Sequence, residues 1–177
     1  ANNALFQWTP FYLREATDGG LAMSYLSVGV HLSLLTGMGI VSAPILGYLS
    51  DKYGRKQVLV PGLIIAAVLT MFVVSAGDSL YLALLLAGIG LFSFALQQII
   101  LAALLDVVER GTEATASGLI FGINGLFGFG SPFIAAFIIN HFGGYGSIFY
   151  YVGGLTILAA LVIGCIPFPN YLALIHT

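Results

Sequence analysis

Five stretches of this chain carry no Asp, Glu, Lys or Arg and are each long enough to cross a bilayer: 21–49, 57–77, 79–105, 114–140 and 142 to about 168. About 20 apolar residues suffice for one helical crossing. Hydrocarbon offers no partner to a free backbone N–H or C=O, so such runs fold as helices or stay out of the membrane. Only 7% of the 177 residues are charged and 59% are hydrophobic. A soluble domain carries roughly 25% charged residues, and so few charges would leave its surface uncovered. The fold class predicted is therefore an all-α polytopic membrane bundle, one domain over 1–177, with spans at about 21–49, 57–77, 79–105, 114–140 and 145–167. Ahead of them, 1–13 is too short to span alone and reads as the last part of a helix, with Trp8, Phe11 and Tyr12 as its interfacial belt.

The start, Ala1-Asn2-Asn3-Ala4, has no initiator Met, basic region or cleavage site, and the chain is read as a fragment. Lys52, Arg55, Lys56 and Arg110 fall on one side of the alternating connections and Arg14 alone on the other. The excess of basic residues places the 50–57 and 106–113 loops and the C-terminus in the cytoplasm, and the loops at 14–20, 77–79 and 141–146 outside. The expected location is the plasma (inner) membrane. No basic stripe exists for nucleic acid. A single cysteine, Cys165, allows neither an internal disulfide nor a cysteine metal cluster. No cofactor, metal or nucleotide motif appears, and no catalytic residues are assigned.

The densest charge lies in Gly47-x-Leu49-Ser50-Asp51-Lys52-x-Gly54-Arg55-Lys56, directly after the second helix of the unit. This resembles the signature loop of the major facilitator superfamily, written G-x-L-A-D-R/K-x-G-R-K, with Ser50 in place of the usual small Ala. The resemblance implies a six-helix half of a twelve-helix secondary transporter, a small-molecule solute, a lipid bilayer around it, and a missing six-helix half of the same polypeptide. The 79–105 helix lacks the buried Arg of many first halves, and the turn Arg110-Gly-Thr-Glu-Ala-Thr-Ala-Ser-Gly118 resembles a second half, which favours the C-terminal one. By the same resemblance Gly47, Asp51, Gly54, Arg55 and Lys56, with Asp106, form the signature loop and cytoplasmic gate, and Asp51 caps a helix N-terminus in the opposite half.

Individual residues add expectations. Arg55 needs an anion, and Asp106, the first charge after the 79–105 run, is its best partner. Along 21–49, Ser24, Ser27, His31 and Ser42 share one helical face, predicted to meet a water-filled cavity, while Gly29, Ser33, Gly37, Pro44 and Gly47 form a small-residue stripe for close packing or sliding. His31 is the one clear intramembrane ionisable group, a candidate for function by that fact alone and equally a packed neutral histidine. Gly118 and Gly122 make a GxxxG pair, and with Gly128 and Pro132 they mark a helix suited to packing or flexing. Asn3, Gln7 and Asn124 are candidate cavity-lining residues. Gln97 and Gln98 are candidates too, although as neighbours they point about 100° apart and are not expected to face one cavity.

Two rivals to transport remain. An intramembrane serine hydrolase built on Ser131 meets Pro132, which has no N–H for an oxyanion, and finds no third partner for His31 or His141. A non-transporting receptor or subunit on a transporter-like half lacks any large loop for a partner. The reading is a transporter and not an enzyme.

Overall fold

The computed structural model describes residues 2–17, 19–109 and 111–165. Arg110 and the tail 166–177, on which part of the sidedness argument and the end of the last span rest, lie outside the described residues. Six α-helices follow in order: α1 Asn2–Arg14, α2 Tyr25–Tyr53, α3 Arg55–Phe72, α4 Leu80–Leu105, α5 Glu113–Phe142 and α6 Gly146–Cys165, with a 3-10 turn at Val73–Ser75 after α3. Five of them, α2 to α6, are long and apolar enough to cross a membrane.

The helix limits follow local chemistry more than charge. Residues ahead of α2 are held to the end of α1, where Leu21 N–H donates to the Tyr12 carbonyl and Met23 N–H to that of Leu13, both at 2.9 Å. Helix α2 therefore starts at Tyr25, four residues late, with the Ser24 hydroxyl accepting from Ser27 N–H at 3.2 Å as its N-cap. At the other end the predicted 50–57 loop is almost absent. Asp51 and Lys52 continue the helix, because a charge at the membrane edge does not disturb the backbone ladder. What stops it is Gly54, with φ of 100°, a conformation costly for any residue with a Cβ. Helix α3 begins at the next residue.

The bundle is organised around α4. Helix α2 packs along it most extensively, and α3 joins it to α6. A larger core forms toward the Arg14 end, from residues such as Leu13, Leu35, Leu86, Ile89 and Phe149. A smaller one, Leu59, Leu63, Leu96, Ile99 and Ala160, lies toward Gly54. Helix α5 contributes little and buries only Ala135 and Ile138.

Both faces of α2 differ from expectation. Its buried residues are Val28, His31, Leu35, Gly39, Ser42 and Ser50, so the stripe carrying His31 and Ser42 packs into the bundle and does not face water. On the opposite side, a Cβ at Gly29, Gly37 or Gly47 would meet nothing within 4 Å. The small-residue stripe has no helix against it among the described residues.

Candidate functional site

Two polar constellations stand out in this hydrocarbon. The first is at the Gly54 end of the bundle, where Arg55 opens α3. Its Nε donates to Asp106 Oδ2 at 3.0 Å, at the C-terminal end of α4. Its Nη1 pairs with Asp51 and also donates to Ser50 Oγ at 3.3 Å, both from the last turns of α2. One guanidinium thus ties three helices together. The cluster is graded in exposure: Ser50 is 1% exposed, and the side chains of Arg55, Asp106 and Asp51 are 22%, 37% and 64% exposed. A single exposed ion pair contributes about 0.2–1 kcal/mol, and a shared Arg in a network is the case where such pairs matter more. Asp51, expected to serve the opposite half, is engaged here by Arg55. Lys56 is partly buried; Lys52 is exposed with its Nζ 5.3 Å from the Tyr53 ring centre.

The second constellation is a cavity of about 400 Å³ between α4 and α5, floored by α3 and α6. Its polar lining comes from Asn3 on α1, Gln97 and Gln98 on α4, and Asn124 on α5, with Thr70, Ser93 and Thr156 deeper. Asn3 Nδ2 donates to Asn124 Oδ1 at 3.0 Å, joining two helices 121 residues apart in sequence. The Thr70 and Thr156 hydroxyls are spent on their own helices, donating to the Ala66 and Val152 carbonyls at 2.7 and 2.8 Å. Gln97 and Gln98 make no hydrogen bond among the described residues. Both face the cavity, contrary to expectation, because α4 presents a wide arc to it, from Ser93 through Leu101. No charged side chain lines it.

His31 and Gln7 are not part of that lining. Gln7 is exposed on α1. His31 is 8% exposed, with Nδ1 2.8 Å from the Ser27 carbonyl. A carbonyl only accepts, so Nδ1 carries a proton and donates to it. Nε2 is buried with no partner.

The helix-flexing residues are also placed differently from the close-packing reading. A Cβ on Gly118 or Gly122 would meet nothing within 4 Å, so the GxxxG pair contacts no helix here. Gly128 does sit close to α1: a Cβ there would lie 3.1 Å from Asn3 Nδ2. Helix α5 runs unbroken through Pro132. For the hydrolase rival, His31 and His141 are bonded to the Ser27 and Phe137 carbonyls of their own helices. The close approaches that sequence reasoning missed are at Gly39, Gly62, Gly90 and Gly153. The helical phase of Gly39 with Leu35 and Ser42 was the available signal for the first.

A family model described as Major Facilitator Superfamily matches residues 2–171. Tetracycline resistance protein, class H, of Pasteurella multocida is 38% identical over 120 residues, covering 66% of this chain and 28% of that protein. The sialic acid transporter NanX of Escherichia coli (strain K12) is 26% identical over 158 residues, 88% of this chain and 38% of the relative. Tetracycline resistance protein, class G, of Vibrio anguillarum is 35% identical over 149 residues, 75% and 37%. The chain therefore spans between a quarter and two fifths of the length of these relatives. With its five apolar spans, it is a multi-pass membrane protein.

Proposed function

The chain belongs to the Major Facilitator Superfamily, and from that premise we propose that it is one six-helix half, the C-terminal one, of a secondary transporter for a small solute. The observation that carries this reading is where the polarity goes. Asn3, Gln97, Gln98 and Asn124 are brought by three helices to one uncharged cavity. Asn3 and Asn124 bond to each other, whereas Gln97 and Gln98 make no hydrogen bond among the described residues. A carboxamide without a partner in an apolar medium is costly, so this lining marks a place that water or a polar solute occupies. The lack of charge there suits a neutral or amphipathic solute, and any charged group on it is met by the second half. The relatives' names join a sialic acid transporter with tetracycline resistance proteins, so kinship supports transport and not one cargo.

Alternating access supplies the mechanism: two halves rock about a site near the midplane, opening it to each side in turn. The open glycine face of α2 and the barely buried α5 are the surfaces this half offers to the other. Arg55, held between Asp51 and Asp106, ties the signature-loop end, which is cytoplasmic in this reading, as is the C-terminus.

The test is solute movement by the intact protein in proteoliposomes, with neutral metabolites and amphipathic drugs as cargo. Counterflow of a labelled solute is the expected result. Saturable binding with no counterflow would replace the transporter by a receptor.

A further inference from the structure

The signature-loop cluster contains one neutral member, and it is the most buried of the four. We propose that Ser50 is a positioning residue for Arg55: its hydroxyl fixes the plane of the guanidinium so that one side chain reaches Asp51 and Asp106 at once. The inference rests on reading the chain as half of a transporter, in which this cluster holds the signature-loop end together.

The geometry carries the argument. Arg55 follows Gly54, whose φ of 100° turns the chain sharply from α2 into α3. Its side chain must then reach backward to α2 and sideways to α4. A guanidinium is a flat fork of five N–H groups, so holding two of its edges fixes where the third points. Nε points at Asp106 Oδ2. Nη1 has two hydrogens, and its two acceptors are Asp51 Oδ1 and Ser50 Oγ. Asp51 is 64% exposed and exchanges its partner with water readily, whereas Ser50 is 1% exposed and water does not compete there. The Ser50 bond is therefore the steadier anchor, and it keeps Nε aimed at α4 while the carboxylates hydrate. An alanine at 50 fills nearly the same space but leaves one Nη1 hydrogen without its protein acceptor and the fork free to turn.

The experiment uses the full-length transporter carrying Ser50→Ala or Ser50→Thr, with solute counterflow and thermal unfolding both measured. Losing one hydrogen bond of ordinary net strength, since water partly replaces it on the half-buried guanidinium, lowers turnover by about three- to tenfold as the loop end re-forms, with KM unchanged; Ser50→Thr, which keeps the hydroxyl, restores most of it. In an Arg55→Lys background, where no fork exists to orient, Ser50→Ala has no further effect on turnover or on the melting temperature. An unchanged turnover in Ser50→Ala overturns the proposal, as does a loss of equal size in the Arg55→Lys background. If the unaltered protein moves no solute, the transporter reading falls by itself. The melting-temperature cycle between Ser50→Ala and Arg55→Lys then decides the role of Ser50: coupling between the two supports it and additivity refutes it.

Discussion

A Cβ on Gly90 would overlap the backbone carbonyl of Leu35, so α4 and α2 meet backbone to backbone near the middle of both helices. Lipid tails are as apolar as the side chains between helices, and close packing is therefore what holds membrane helices together. Gly39 is also tight, a Cβ there meeting the Cβ and ring of Phe94, so that side chain and not the backbone takes the first strain. Gly90→Ala meets backbone directly and must push the helices apart. It should destabilise the intact protein by about 1–3 kcal/mol or more. Gly118→Ala, with nothing within 4 Å, should cost nothing and gain up to about 1 kcal/mol of helix propensity. Thermal unfolding in detergent compares them directly, and equal melting temperatures would contradict the packing described.

Exchanging the charges of Arg55 and Asp106 should rescue only part of what either reversal alone destroys. In the double variant an Asp at 55 faces an Arg at 106, but it also stands beside Asp51 across the Gly54 turn, and like charges that close repel. Asp106→Asn should be milder than Arg55→Gln, because Asp51 and Ser50 still hold the guanidinium in the first. A double-mutant cycle on turnover and unfolding measures the coupling, expected near 1 kcal/mol. Full rescue by the exchange would mean that Asp51 is not part of the cluster.

The spans were legible because hydrocarbon thickness sets their length: α4 was expected over 79–105 and is Leu80–Leu105. The few charges made Arg55 and Asp106 natural partners. What could not be read was which face of a helix is inside. In water, polarity marks the outside, but in lipid it does not: Leu26 and Ile40 are 81% and 79% exposed while His31 and Ser42 are buried. On α2 the polar stripe was expected to meet a water-filled cavity and the glycine stripe a neighbouring helix, and only the fold shows that the face of His31 and Ser42 packs while the glycines stay open. The same ambiguity hid Gly90 behind the more conspicuous Gly118 and Gly122. Ser50 went unremarked as a partner because its role depends on a sharp turn at Gly54 that brings Arg55 back over it.

Asn124→Leu should separate solute recognition from folding. Its Oδ1 accepts from Asn3 Nδ2, but Asn3 is exposed and can bond to water once released. Stability should then change by less than about 1 kcal/mol. Solute affinity should fall by about tenfold, the effect of removing one polar contact of roughly 1.4 kcal/mol. Binding and unfolding measured on the same preparation test this. A large loss of stability with unchanged affinity would make Asn124 a helix clamp and remove it from the site.

His31 should be replaceable by Leu with a gain in stability. Its Nδ1 donates to the Ser27 carbonyl, which is already an acceptor in the α2 ladder and loses little when that bond goes. Its Nε2 is buried with no partner, and an orphaned buried polar atom costs about 1–3 kcal/mol. A leucine of similar bulk removes the orphan and fits among Val28, Leu35 and the apolar face of α4. The expected result is a higher melting temperature, equivalent to about 1 kcal/mol. Counterflow in the same variant separates packing from chemistry. Retained flux makes His31 a core residue, while lost flux in a protein made more stable assigns the imidazole to the transport cycle.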